Sequence, residues 1–193
     1  MRAAVGFRVK SGWATAVLLA GPAAAPRVVD LRVIELSDPA VPTSRQPYHA
    51  VMGASGGDAG ARLEKHLTKV VERVTRRSVR RLLQAYRRAG HPARRAGLVV
   101  GSVIDPARIA NDHIRAHALE GRLFRTVLER AVRSFRLPCA VIVERGAYAT
   151  AADRFKRPEN DVKRAVTELG RAIAGPWRAD EKTAALAAWM ALR

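Results

Sequence analysis

Residues 98–125 read LVVGSVIDPARIANDHIRAHALEGRLFR. Leu98, Val99, Val100, Val103 and Ile104 form an apolar run without alternation, the pattern of a parallel strand covered on both faces. The run predicts a buried strand over Leu98–Ile104. Asp105-Pro106 and Asn111-Asp112 both suit a helix start, because a short oxygen-bearing side chain accepts orphan backbone N–H groups. The helix that follows carries Phe124, Val127, Leu128, Ala131, Val132 and Phe135 on one stripe. Extended backwards at helical spacing, that stripe meets Glu120, His117 and His113. Polar residues thus continue a core-facing line beside the carboxyl end of a strand, where ligands sit in open α/β sheets.

Working outward, Ala3–Val9, Trp13–Ala20 and Arg27–Leu36 read as three strands joined by short turns, an antiparallel meander. The apolar segment near Leu18, preceded by Arg2, Arg8 and Lys10, imitates a signal peptide, but its strand-like flanks favour a strand. Ser37–Gly60, with its prolines and glycines, predicts a long connection, part of it mobile. Within it Ser44–His49 reads as an exposed loop. Arg62–Ala89 is the clearest helix, with Leu63, Leu67, Val70, Val71, Val74, Leu82, Leu83 and Tyr86 at helical spacing and Gly90 closing it. Leu137–Glu144 predicts another buried strand, ending in Glu144-Arg145-Gly146. Helices are expected over Ala147–Phe155, from Val162 to Ile173, and from Asp180, as N-cap, to Leu192. The order β-β-β-α-β-α-β-α-α implies one domain over residues 1–193, an α/β mixed sheet with helices on both faces.

Among the 193 residues, 35 are Lys or Arg against 17 Asp or Glu, a formal net charge of +18. Only Lys10, Lys65, Lys69, Lys156, Lys163 and Lys182 are lysines; the rest are arginines. Such an excess implies a polyanionic partner, with phosphate backbones the usual one. The excess clusters on the Arg62–Ala89 helix, where Arg73, Arg76, Arg77, Arg80 and Arg81 lie off the apolar stripe and only Glu64 and Glu72 intervene. That face is the expected polyanion-binding surface. No run approaches a membrane span, so no membrane partner is expected. The single cysteine, Cys139, sits in an apolar run; it excludes an internal disulfide and reads as a core residue. The expectation is a cytoplasmic protein.

Val99-Val100-Gly101 followed by Pro106, and then LPCAVIVERGAYATAADRF (137–155), resemble the YqgF and RuvC-type resolvase branch of the ribonuclease H-like superfamily. In that branch a V-V-G-x-P strand end precedes a strand closing in D-E-R and a T-T-x-x-A segment. Glu144-Arg145 matches the E-R, and Ala149–Ala152 the segment after it. Ala179–Ala185 is similar to the D-x-x-A-A helix start that supplies a late catalytic Asp, here Asp180. Gly6-Phe7-Arg8 stands where the family has G-I-D. The resemblance implies a ribonuclease H-like fold, nucleic-acid substrates and a divalent metal, Mg²⁺ or Mn²⁺. The chain departs from it at the first-strand Asp, which is Arg8: a guanidinium cannot ligate Mg²⁺ and repels it. Two-metal cleavage needs clustered carboxylates holding ions about 4 Å apart.

Three functional readings follow. In the first, the chain binds nucleic acid through Arg8, the arginines of the basic helix and Arg145, with Glu144 and either Asp180 or Glu181 left from a degenerate nuclease site. Arg8 would hold a phosphate or neutralise Glu144. In the second, it is an active metal-dependent nuclease or phosphoesterase using His113, His117, Glu120 and Glu144, since two histidines at i and i+4 with a carboxylate one turn on can converge on a metal. His49 or Asp105 would complete that set, and His117 could act as acid or base with Glu120 orienting it. The spacing alone favours hydrogen-bonded histidines at a helix start over a metal site. In the third, the basic helix binds an acidic protein.

Overall fold

The computed structural model describes residues 2–53 and 57–193. Strands β1 (Ala3–Lys10), β2 (Trp13–Ala20) and β3 (Arg27–Glu35) form the expected meander. Strand β4 (Arg95–Val100) pairs parallel with β1, and β5 (Cys139–Val143) pairs parallel with β4. The order β3-β2-β1-β4-β5 makes one mixed sheet with β1 at its centre. The chain therefore has the expected α/β ribonuclease H-like mixed sheet with helices on both faces.

Alternation along β1 sorts the two cores. Ala3, Val5, Phe7 and Val9 face one layer with α2 (Gly57–Arg88) and α3 (Asp112–Ser134). Ala4 faces the other layer, made by α4 (Ala147–Phe155), α5 (Glu159–Leu169) and α6 (Ala179–Leu192). Helix α6 is buried at every position from Thr183 to Leu192, as an all-round apolar sequence requires. It lies so close to the sheet that glycine is needed beneath it. A Cβ on Gly6 would come 1.9 Å from the Ala184 carbonyl oxygen, and one on Gly97 2.6 Å from that of Ala187. These two glycines face each other across β1 and β4.

The structure corrects several boundaries. Strand β4 ends at Val100, and Val103 and Ile104 are 57% and 65% exposed. The apolar run continues, but pairing stops with Arg8↔Val99 on one side and Val100↔Val143 on the other. A strand cannot outlast its partners. Strand β5 is not covered on both faces either: Ala140 and Val141 are exposed on this outer strand. The connection after β3 holds a 3-10 turn (Pro42–Arg45) and a helix, α1 (Pro47–Met52), in place of an exposed loop. Pro47 sets that helix start, its missing N–H costing nothing at the first position. Helix α2 begins at Gly57, earlier than Arg62; the expected mobile stretch falls partly on residues 54–56, outside the described residues. Helix α5 opens at Glu159 and ends at Leu169, with a 3-10 turn over Gly170–Ala172.

Candidate functional site at the carboxyl end of the sheet

Arg8 stands near the end of the central strand, and only 6% of its surface is exposed. Its Nη1 donates to the Val9 carbonyl at 2.9 Å and its Nη2 to Glu144 Oε2 at 2.6 Å. Its Nε lies 3.7 Å from Asp180 Oδ1, beyond hydrogen-bond reach, and Lys10 Nζ lies 3.2 Å from that same oxygen. Glu144 is placed by its own backbone N–H, which donates to the Val100 carbonyl at 2.8 Å and carries the β4–β5 ladder one step further. Asp180 sits in the first turn of α6, where the helix dipole favours an anion. It is not the N-cap: Arg178 takes that position, and Glu181 Oε2 accepts the Arg178 N–H at 2.7 Å.

Arg8, Glu144 and Asp180 thus come together from three separate elements. The metal that the fold family implies does not fit between them. The guanidinium occupies the space, and both carboxylates already hold a cation of the chain. A divalent ion would add charge beside two fixed positive groups. Of the two roles expected for Arg8, the geometry is that of neutralising Glu144.

A cleft of ≈ 280 Å³ opens beside Arg8 and Lys10, with Ser102, His117, Arg122 and Arg125 among its lining residues. Gly101 and Ser102 line it just past the end of β4. Arg122 and Arg125 went unnoticed in the sequence, although their i,i+3 spacing on α3 next to Glu120 was a readable signal.

Helix α3 opens on Asn111, whose Oδ1 accepts the Ile114 N–H at 3.0 Å, so His113 and His117 lie in its first turns. Helix α1 brings His49 to them. The rings of His49, His113 and His117 pack on one another with centroids 4.3–4.8 Å apart. Beneath them Glu120 is wholly buried. His49 Nδ1 lies 2.7 Å from Glu120 Oε1, and His117 Nδ1 lies 3.7 Å from Glu120 Oε2. Glu120 Oε2 has no hydrogen-bond partner among the described residues. Burial and the neighbouring Glu64 of α2 raise the hydroxyl pKa of Tyr48, next to His49. Of the two residues considered to complete the histidine set, His49 joins it. Asp105 instead caps a short turn, its Oδ1 accepting the Ala107 N–H at 3.1 Å. Glu120 belongs to this cluster and makes no ion pair with Arg8.

On α2, Arg73, Arg76, Arg77, Arg80 and Arg81 are all exposed. Arg73 reaches Asp38 at 3.5 Å, while no carboxylate among the described residues lies within ion-pair distance of the other four. Arg145 is exposed directly after Glu144. Cys139 lies in the core, where burial pushes its thiol up to about 12 and keeps it protonated at neutral pH. No helix among the described residues is long and apolar enough to cross a membrane.

No family model matches the chain, and no curated protein matches it in sequence. Solved structures do. The Thermus thermophilus RuvC in complex with a Holliday junction substrate superposes with a TM-score of 0.55 at 10% identity, over 98% of this chain and 92% of that one. A second Thermus thermophilus RuvC structure gives 0.53 at 11% identity, over 97% and 92%. At such identities the likeness is one of fold, and it extends over nearly the whole chain.

Proposed function

We propose that this chain binds nucleic acid on a ribonuclease H-like scaffold whose metal-nuclease site has been replaced by ion pairs. The observation that carries this reading is the buried Arg8 guanidinium between Glu144 and Asp180. A cation built into the chain does the electrostatic work of a bound metal, neutralising two carboxylates, without the Lewis acidity that cleavage needs. What the site keeps is positive surface: Lys10, Arg122 and Arg125 around the cleft, with Arg145 exposed nearby in sequence to Glu144. The face of α2 adds the exposed Arg76, Arg77, Arg80 and Arg81, with no carboxylate among the described residues within ion-pair distance. Structures of similar fold include a RuvC bound to a Holliday junction, which favours branched DNA as the first substrate to try.

The test is a gel assay with labelled single-stranded, duplex and branched DNA and RNA, in Mg²⁺, Mn²⁺ or EDTA. The expected outcome is retardation that weakens steeply with salt, with no cleavage in any buffer. Each phosphate neutralised contributes about 0.9 to the slope of log K against log salt on duplex DNA, so Arg76→Glu/Arg80→Glu should flatten it by about 2. Metal-dependent products that vanish in Glu144→Ala would overturn the reading. Absence of retardation at moderate salt would overturn it too, and point to an acidic protein as the partner of α2.

A further inference from the structure

The histidine cluster is not needed for the nucleic-acid reading. His49 and His117 come from different helices, yet both turn Nδ1 toward Glu120, one to each carboxylate oxygen. Their Nε2 atoms are thereby turned the other way. His49 Nε2 lies 3.2 Å from His113 Nδ1, and His117 Nε2 lies 3.2 Å from His113 Nε2. One ligand nitrogen from each of the three residues falls within 4.8 Å of the others. The two 3.2 Å contacts use different nitrogens of His113, so a single ion takes only one of them. Tetrahedral bonds of about 2.05 Å to a zinc ion set imidazole nitrogens about 3.3 Å apart, so the three rings, whose ligand atoms lie within 4.8 Å, draw together by side-chain rotation as the ion binds.

The carboxylate that would hold the ligand rings in place is already behind them. A metal-ligating histidine usually gives its other ring N–H to a carboxylate, which fixes the tautomer and the ring plane. Glu120 is set to do this for His49 at hydrogen-bond distance and faces His117 with its second oxygen. A carboxylate buried completely is costly unless positive charge lies close. No Lys or Arg pairs with Glu120 among the described residues; its ion-pair neighbours are the two imidazoles. A dipositive ion held by the three rings would supply the missing charge. Ligand type narrows the ion: imidazoles with no thiolate and no ligating carboxylate suit Zn²⁺, Co²⁺ or Ni²⁺ and not Mg²⁺ or Ca²⁺.

We infer that His49, His113 and His117 form a site for a divalent transition-metal ion of the zinc class, with Glu120 orienting His49 and His117. Three protein ligands leave a fourth position open, and the exposure of His113 and His117 places it toward solvent. His117 also lines the basic cleft, so the ion would stand at that cleft's edge.

The experiment is equilibrium dialysis of the full chain, free of any affinity tag, against Zn²⁺, with bound metal counted by mass spectrometry. Co²⁺ serves as a spectroscopic probe of coordination. The expected result is one tight ion per chain and the strong visible bands of low-coordinate Co²⁺. His113→Ala and His117→Ala should each weaken binding by more than about 100-fold, and Glu120→Gln by about 10-fold or more. Circular dichroism is used to accept only folded variants. Because imidazoles must be deprotonated to bind, affinity should fall as the solution is acidified. His66→Ala and His91→Ala, outside the cluster, should change nothing. Zinc retained equally by folded His113→Ala and His117→Ala, or lost in His66→Ala, would overturn the site.

Discussion

Glu144 and Asp180 are neutralised by cations of the chain itself, Arg8 and Lys10, whereas Glu120 lies under imidazoles with one oxygen lacking a hydrogen bond among the described residues. Both groups border one cleft, yet they are built differently. The first is assembled from the ends of β1, β5 and α6, so it depends on long-range packing of the sheet against α6. The second is assembled from the starts of α1 and α3. A carboxylate whose partner is a fixed guanidinium has its charge balance closed. One whose partners are imidazoles can still take an ion, because a neutral imidazole offers a lone pair.

The most disruptive way to break this contrast is Arg8→Asp, which places three carboxylates at the sheet end with only Lys10 beside them. In EDTA the variant should lose about 2 kcal/mol or more, since replacing the buried cation of a part-buried pair leaves like charges facing each other. Millimolar Mg²⁺, which three imidazoles do not hold, should then raise its unfolding temperature while leaving the parent chain unmoved, because only the variant offers a carboxylate cage. Thermal unfolding with and without Mg²⁺ measures both. A variant as stable as the parent in EDTA would show that Arg8 does not balance Glu144 and Asp180.

A smaller effect separates the two groups by their supports. Gly6→Ala forces α6 off the sheet, since the nearest backbone atom stands 1.9 Å from the new Cβ. Overpacking of this kind costs about 2–3 kcal/mol and should pull Asp180 away from Arg8. The histidine cluster hangs on α1 and α3, so zinc binding by the variant should persist. Denaturant unfolding and zinc stoichiometry, measured on the same sample, check the pair of outcomes. Loss of both together would mean that the two groups share a support.

Much of this was readable beforehand, for definite reasons. The meander, α2 and α3 show plain periodicity, and the strand that ends at Val143 delivers Glu144 just past its end. The stop of β4 was not readable, because Val103 and Ile104 are as apolar as the strand; only the lengths of its neighbours end it. Arg8 was legible as a departure, but its burial against Asp180 depends on α6 docking over Gly6 and Gly97, and Lys10 enters the same network for the same reason. His113, His117 and Glu120 share a helical stripe and can be found by counting. His49 lies 64 residues before His113, in a segment whose helix is signalled only by Pro47, and nothing local states which helix it will meet.

The finest distinction concerns which cation holds Asp180. Lys10 Nζ is nearer to it than Arg8 Nε, at 3.2 Å against 3.7 Å, but Lys10 is far more exposed. Exposed pairs contribute little after screening and side-chain entropy, so Lys10→Ala should cost only about 0.5 kcal/mol. Arg8→Met, which removes the charge but keeps much of the volume, should cost several times that, because Glu144 and Asp180 then lose their shared partner. Unfolding free energies of the two variants at low and high salt decide the point. A Lys10→Ala loss equal to that of Arg8→Met would mean that two cations act jointly, and that the site presents a bound pair of charges to the cleft in place of a single buried one.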